Sequence, residues 1–412
     1  MLRLILPALA TAVLLAPLPA CRSTAPDYSR PLPPGAAALE RVPEDEWPRL
    51  SVPILSPRGD LVRAGSRSLR WFDYPSSQQF FPVEGITLDR ARASVYALLA
   101  ILGQDRDDPA TVKDDVRREF DLYMSVGWDG EGTVLFTGYY APVFTASRER
   151  TDRYRYPLYG PPPQLIRPET PGSKPQWRRD DGRMTSPPPR RELEGHPALR
   201  GHEIAWLEDP LDVYIIQVQG SARLEMTDGS TLEIGYAGDN GYDYVSLGRE
   251  MVRDGRLDEN HAGLPAIRDF FQDNPELLDE YVHRNPRFIF FQEYPRRHWP
   301  AGSLGFPVTA WRSVATDKSI FPRAMPVLAD TTVPAPDGGT RGLRQVMFDQ
   351  DTGSAIRAPG RADLFMGIGE RAEAVAGRQQ YEGRLYYFVL KPDRVDHWLE
   401  RMEAEQPRAG LQ

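Results

Sequence analysis

The stretch Val346-Met-Phe-Asp-Gln-Asp-Thr-Gly-Ser-Ala-Ile356, with Arg361-Ala-Asp-Leu-Phe-Met-Gly-Ile-Gly369 close behind it, decides the fold. Each half holds a short apolar run bounded by glycine or aspartate, a pattern typical of buried strands that end in turns. Asp351 and Asp363 stand at the edges of these runs, and Asp317 stands in the same way after Val314-Ala315. The pattern predicts strands that project carboxylates into a groove.

Working outward, the sequence predicts strands on both sides of a long central segment. The predicted strands are Thr133–Phe144 with a kink at Gly138, Asp212–Leu224, a partner from Thr231 after the Asp228-Gly229 turn, Arg287–Phe291, Val308–Arg312, Gln345–Phe348 and Leu385–Leu390. Predicted helices are Leu88–Leu102, Pro109–Val126, 243–254, 264–272, 275–283 and Arg394–Met402. Strands at the front and again at the back indicate a barrel interrupted by an insertion.

These patterns predict two units, of which the first is discontinuous in sequence. Residues 61–142 and 296–412 are assigned to the barrel, and 143–295 to an inserted, β-rich domain that forms a substrate groove. The proline-rich stretch from about 150 to 200 is predicted to be a surface loop.

The amino terminus has the pattern of an export signal. Residues 1–20 carry Arg3 followed by an apolar run, and Leu18-Pro-Ala-Cys21 resembles a bacterial lipobox. We therefore expect a lipid on Cys21, with 21–60 as the tether to a membrane. No aspartate follows Cys21 directly. We therefore expect the protein at the periplasmic face of the outer membrane of a Gram-negative bacterium.

Composition excludes several classes of function. The chain of 412 residues has one cysteine and six scattered histidines, so we expect no internal disulfide and no metal centre. A formal net charge of −8 argues against nucleic acid as a partner. Forty prolines and 34 glycines argue against a helical bundle.

The three aspartates have competing interpretations. Crowded carboxylates can raise the pKa of an acid for glycoside cleavage, but turn aspartates more often cap backbone N–H groups. Asp351-Thr-Gly also resembles an aspartic-protease strand. That chemistry needs two facing aspartates, and the chain has a single such motif, so it would require a homodimer.

A set of motifs in a fixed order resembles the membrane-bound lytic murein transglycosylase A family. The motifs are Phe136-Thr-Gly-Tyr-Tyr-Ala-Pro, Gln217-Val-Gln-Gly-Ser, Gly235-Tyr-Ala-Gly-Asp-Asn-Gly, Asn285-Pro-Arg-Phe-Ile-Phe-Phe, Ala315-Thr-Asp-Lys-Ser-Ile and the two stretches quoted first. The resemblance implies a mainly β fold: a double-psi β-barrel with a second β-rich domain inserted and flanking helices. It also implies that Asp317, Asp351 and Asp363 converge, with Asp363 as the catalytic acid.

The resemblance further implies the reaction. Asp363 would cleave the β-1,4 bond between N-acetylmuramic acid and N-acetylglucosamine, acting as acid and then base to leave 1,6-anhydro ends, with Asp351 and Asp317 in support and no cofactor. Candidates for the groove wall are Thr137, Gly138, Tyr139, Gln219, Gly220 and Ser221. The expected partners are peptidoglycan glycan strands and a membrane, with proteins of cell-wall synthesis or hydrolysis as further candidates. A non-catalytic peptidoglycan-binding lipoprotein and an inverting glycosidase on the same barrel remain alternatives.

Overall fold

The computed structural model describes residues 26–50, 58–102, 109–168, 173–258, 262–335 and 338–405. Its strands are β1 (Leu39–Arg41), β2 (Phe120–Ser125), β3 (Val134–Ala141), β4 (Val143–Ala146), β5 (Tyr156–Tyr159), β6 (Leu165–Ile166), β7 (Gln176–Arg178), β8 (Met184–Thr185), β9 (Glu203–Leu207), β10 (Ser221–Met226), β11 (Thr231–Asp239), β12 (Ile289–Glu293), β13 (Ser313–Ala315), β14 (Pro326–Pro334), β15 (Thr340–Asp351), β16 (Arg361–Ile368) and β17 (Gln380–Leu390). Its helices are α1 (Arg58–Phe72), α2 (Leu88–Leu102), α3 (Pro109–Glu119), α4 (Arg190–Leu193), α5 (Pro210–Gln219), α6 (Leu247–Arg253), α7 (Leu264–Asp273), α8 (Leu278–Val282), α9 (Glu370–Ala376) and α10 (Val395–Glu405).

Six strands close into a barrel. They pair in the order β17-β14-β15-β13-β16-β3, and β17 also pairs with β3 to complete the circle. The pairs β13·β15 and β16·β3 are parallel, whereas the other barrel pairs are antiparallel. The prediction of a mainly β fold built on a barrel is confirmed.

Helices α1 and α2 cover the outside of the barrel, and α10 packs on α2, which explains the continuous apolar runs of the barrel strands. Val346, Met347 and Phe348 are all buried, because β15 has the barrel interior on one face and α1 on the other. Gly65 of α1 allows the close approach: a Cβ there would lie 2.7 Å from the ring of Phe348.

The central segment forms its own sheets. Strands β12-β11-β10-β4 make a four-stranded sheet, and β5-β9 and β6-β7-β8 make two smaller ones. A separate apolar core lies within this part, with Phe291 and Ile234 among its fully buried side chains. The stretch from 150 to 200 is therefore not only loop, since it contains β5 to β8 and α4.

The prediction of a strand over Asp212–Leu224 is wrong for its first half, which is helix α5. Asp209 caps the helix by accepting a hydrogen bond from the N–H of Leu211, Pro210 occupies the first turn, and Gly220 ends it with a φ of 77°. These start and stop signals outweighed the β-branched residues between them. Gln217 and Gln219 are consequently two residues apart on a helix and do not share a face.

Other boundaries also differ from the predictions. The helix predicted over Pro109–Val126 ends at Glu119, and the strand β2 follows, because Phe120 to Leu122 enter the core beside β17. The prediction of a strand over Val308–Arg312 is wrong, because β13 begins only at Ser313. The break in the strand predicted from Thr133 falls at Pro142, and β3 runs through Gly138.

The predicted tether is partly structured. Leu39 to Arg41 form β1 against β2, and Trp47 is buried in the core. The predicted signal sequence and Cys21 lie outside the described residues. Within the described ranges, no helix combines the length and apolar character needed to span a membrane.

Candidate active site

The short strand β13 brings the three predicted aspartates together. Its residue Ala315 is the register partner of Asp351 on one side and of Asp363 on the other. Neighbouring strands lie about 4.8 Å apart, so the two aspartate Cα atoms are separated by about two strand spacings. Asp317 follows Ala315 by two residues, at the point where the chain leaves β13.

Asp363 is a carboxyl that keeps its proton up to near-neutral pH. Burial raises its pKa from 3.8 to about 7, and the charge of Asp351 adds to this rise, while Arg361 and a hydrogen bond from Thr137 oppose it. Its Oδ1 is buried without a hydrogen-bond partner in the described part of the chain. A protonated carboxyl tolerates such a position better than a carboxylate does, and a general acid must hold its proton near neutrality.

Asp351 is held in place by three donors. The hydroxyl of Tyr139 donates to Oδ2 at 2.7 Å, and the backbone N–H groups of Ser303 and Thr352 each donate to Oδ1 at 2.8 Å. Burial raises the pKa of Asp351, and these hydrogen bonds act against the rise. Asp351 is thereby fixed in orientation beside Asp363, as a supporting group would be.

Asp317 uses its carboxylate for local structure. Oδ1 accepts hydrogen bonds from the N–H and the hydroxyl of Ser319 at 3.0 and 2.6 Å, and Oδ2 accepts one from the N–H of Ala358 at 2.9 Å. Ala358 lies in the loop that joins β15 to β16. Asp317 therefore fastens the loop that connects the other two aspartates.

Strand β3 supplies one wall of the site. Thr137 is the register partner of Asp363, and Tyr139 contacts Asp351 from the same face of β3. Gly138 points away from that face: a Cβ there would lie 2.9 Å from the sulfur of Met366 and 3.0 Å from Gln379. The glycine thus allows packing inside the barrel, which is a different reason from the close approach of a sugar.

The segment Gln219, Gly220 and Ser221 lies next to β3. The side chain of Gln219 accepts a hydrogen bond from the N–H of Tyr140 at 3.1 Å and so joins α5 to the barrel. Gly220 ends α5, and Ser221 is 9% exposed in the pairing of β10 with β11. All three lie where the inserted part meets β3.

The sequence predictions missed a buried polar cluster behind the site. Lys318 forms an ion pair with Asp349, and Asp349 also accepts hydrogen bonds from Thr316 at 2.7 Å and Tyr387 at 2.8 Å. The signal for it is the pair of acids Asp349 and Asp351 at the end of β15. The register shifts between them, so Asp349 shares a face with Val314 and Asp351 shares the opposite face with Ala315.

Two groups near Asp363 and Asp351 were also missed. Ser303, which binds Asp351 through its backbone, lies in a loop without a side-chain motif, so no signal pointed to it. Arg361 precedes Asp363 by two residues on β16, and that spacing was a usable signal. No group of three or more histidine, cysteine, aspartate or glutamate side chains that could hold a metal occurs among the described residues.

Two family models match successive parts of the chain. Residues 135–292 match the model of the MltA specific insert domain, and 312–389 match that of the 3D domain. The chain is 33% identical over 355 residues to membrane-bound lytic murein transglycosylase A of Vibrio cholerae, covering 84% of this chain and 89% of the relative. It is 30% identical over 277 residues to the Escherichia coli K12 protein of the same name, covering 66% and 70%.

Solved structures share the fold. The crystal structure of a membrane-bound lytic murein transglycosylase from Agrobacterium tumefaciens superposes with a TM-score of 0.69 at 25% identity, covering 88% of this chain and 99% of that one. The structure of Escherichia coli MltA with bound chitohexaose, at 23% identity, has a TM-score of 0.66 and covers 89% and 97%. Because a relative that is 33% identical covers 84% of this chain, and because both domain models match, the chain belongs to the membrane-bound lytic murein transglycosylase A family.

Proposed function

We propose that the chain is a lytic transglycosylase that cleaves the β-1,4 bond between N-acetylmuramic acid and N-acetylglucosamine in peptidoglycan and leaves 1,6-anhydro ends. The observation that carries the proposal is the carboxyl of Asp363, whose pKa burial raises to about 7. Relatives named lytic murein transglycosylase, and a related structure that holds chitohexaose, support a glycan of this class as the substrate.

In the first step Asp363 acts as the acid. Its proton passes to the glycosidic oxygen, the bond from that oxygen to C1 of the muramic acid breaks, and positive charge develops at C1. The N-acetylglucosamine part leaves with the proton as a hydroxyl. Asp363 is then a carboxylate, next to Asp351, which Tyr139 holds in place by its 2.7 Å hydrogen bond.

In the second step Asp363 acts as the base. It takes the proton of the muramic acid C6 hydroxyl, and O6 attacks C1 to form the anhydro bond, so the acid is restored and no water is consumed. An internal nucleophile has a high effective concentration, which removes the need for a positioned water. One acid therefore suffices, whereas a glycosidase that hydrolyses its substrate uses two carboxyl groups.

The test is the mass of the product released from purified sacculi. The wild-type chain should release anhydro-muropeptides, each lighter by one water than the hydrolysed product, and Asp363→Asn should release none. Asp181→Asn, in the exposed β7–β8 turn, is the control and should act like the wild type. A hydrolysed product would contradict the mechanism, and undiminished release by Asp363→Asn would contradict the role of Asp363.

We also propose that the protein is a lipoprotein at the periplasmic face of the outer membrane, anchored through Cys21. The lipobox-like sequence before Cys21 supports this, as do relatives named membrane-bound. Incorporation of labelled palmitate into the wild type but not into Cys21→Ser tests the anchor, and fractionation of the envelope tests the location. Label retained in Cys21→Ser would contradict the assignment.

A further inference from the structure

Thr352, the residue after Asp351, forms a hydrogen bond that the mechanism above does not use. Its hydroxyl donates to the carbonyl oxygen of Thr316 at 2.9 Å. The backbone N–H of Thr352 donates to Oδ1 of Asp351 at 2.8 Å. One residue therefore contacts the carboxylate of Asp351 through its backbone and a second segment of the chain through its side chain.

The N–H of Thr352 orients the carboxylate only while the peptide plane between Asp351 and Thr352 keeps its direction. Strand β15 ends at Asp351, and residues 352–360 contain no helix or strand. Thr316 holds this plane through both of its backbone groups. Its carbonyl accepts the hydroxyl bond, and its N–H donates to the carbonyl oxygen of Asp351 at 3.2 Å. Side-chain bonds to nearby backbone replace a strand ladder in this way.

The far end of the same loop is tied to the next residue along that segment. Oδ2 of Asp317 accepts a hydrogen bond from the N–H of Ala358 at 2.9 Å. Residues 316 and 317 thus hold the loop near both of its ends. Because the loop joins β15 to β16, these ties act on the strands that carry Asp351 and Asp363.

Thr316 is a fixed anchor because it is itself bound from behind. It is fully buried, its hydroxyl donates to Oδ2 of Asp349 at 2.7 Å, and the same hydroxyl accepts a bond from Nζ of Lys318 at 2.9 Å. Lys318 and Asp349 form a buried ion pair, and such a pair resists movement because separation leaves a buried charge uncompensated. The hydroxyl of Thr352 therefore ties Asp351 to a rigid part of the barrel.

We propose that Thr352 is a positioning residue for the reaction: its hydroxyl bond to Thr316 fixes the backbone N–H that orients the carboxylate of Asp351 beside Asp363. This inference rests on the proposed function and adds a residue to its site. Thr352 acts through Asp351, so it contributes to turnover and not to the binding of the glycan strand.

The test is the rate of anhydro product release from solubilised peptidoglycan strands, measured over a range of strand concentrations. Thr352→Val keeps the β-branched shape and removes the hydroxyl. Its kcat should fall about 10-fold while KM stays within about twofold of the wild-type value, because a misoriented group costs turnover and leaves substrate contacts in place. Thr352→Ser restores the hydroxyl and should return kcat to within about twofold of the wild type.

Thr331→Val is the matched control. The hydroxyl of Thr331 donates to the carbonyl oxygen of Glu382 at 2.9 Å, and its bonds join β14 to β17. The bond has the same type and length as that of Thr352, but it lies elsewhere on the barrel. Thr331→Val should keep the wild-type kcat, so any general effect of a lost threonine hydroxyl would appear there.

A double-mutant cycle with Asp351→Ala separates positioning from an independent role. Once the carboxylate is absent its orientation no longer matters, so Thr352→Val should not lower the remaining kcat of Asp351→Ala any further. A threonine that contacts substrate directly, or that only supports the fold, would show the same loss in both backgrounds.

An unchanged kcat in Thr352→Val, a loss confined to KM, or an equal loss in the Asp351→Ala background would each overturn the inference. Thr352→Ser that is no more active than Thr352→Val would do the same. Thr352 is exposed, so its variants leave the core packing intact, and Thr352→Ala offers a second variant that lacks the hydroxyl. These results leave the proposed function standing, since anhydro product would still form. A wild type that releases no anhydro product would instead refute the proposed function, and this inference with it.

Discussion

Replacing Asp363 by asparagine should remove activity and at the same time stabilise the fold at neutral pH. The pKa of this carboxyl rises from 3.8 to about 7 because folding buries it. One pKa unit corresponds to about 1.4 kcal/mol, so the ionised Asp363 costs the folded state up to about 4 kcal/mol. Partial access of solvent through the groove reduces this figure, and asparagine carries no such cost.

The effect has a defined pH window. Below pH 3.8 the carboxyl is protonated in both the folded and the unfolded chain, and the stability due to its raised pKa is fully present. Between 3.8 and about 7 the unfolded chain has lost the proton and the folded chain has kept it, so wild-type stability falls as pH rises. Above about 7 the loss is complete. The advantage of Asp363→Asn should therefore grow across this window and then level off.

Denaturant unfolding of both proteins at a series of pH values measures this difference. Asp181→Asn is the control, because Arg183 lowers the pKa of that exposed aspartate and the sign is reversed. Its small stability difference from the wild type should become less favourable as pH rises. A difference for Asp363→Asn that stays flat across the window would refute the reasoning that burial sets the acid.

Four further outcomes are expected from Asp363 and the residues around it. Product release should fall as pH rises through about 7, when Asp363 ionises. Asp351→Asn should move the midpoint of the pH–rate profile to lower pH, because the charge of Asp351 raises the pKa of Asp363. Lys318→Met should lower the free energy of unfolding by about 3–5 kcal/mol, because Asp349 stays buried without its cation. Gly138→Ala should cost about 1–3 kcal/mol in the same assay, because its new Cβ would meet a sulfur at 2.9 Å.

The sequence was a good guide where one signal dominated. Helix α2 has the predicted bounds Leu88–Leu102, because its apolar spacing is regular and no proline interrupts it. Asp351 and Asp363 lie on either side of Ala315, since each belongs to an apolar run that the barrel needs. Element type was predictable from local pattern in these cases.

The sequence was a poor guide where the outcome depended on distant partners. Phe120 to Met124 continue a helical pattern but pair with β17, and no local signal reveals that a strand 262 to 270 positions later needs a neighbour. The role of Gly138 depends on Met366 and Gln379, which reach it only after the barrel closes. Likewise the burial of Asp363, and hence its chemistry, is a property of closure.

Because the burial of Asp363 depends on barrel closure, the strands on either side of it determine how far it is enclosed. A parallel neighbour on one side and an antiparallel neighbour on the other hold β16, so Asp363 lies between β3 and β13 and is enclosed by both. An acid on an exposed loop would keep its ordinary pKa and would be ionised at neutral pH. Enclosure raises the pKa of Asp363, and two residues away it buries the Nε of Arg361 without a hydrogen-bond partner in the described part of the chain. A carboxyl at this position therefore holds its proton near neutrality before any ligand arrives, because the barrel itself supplies the enclosure.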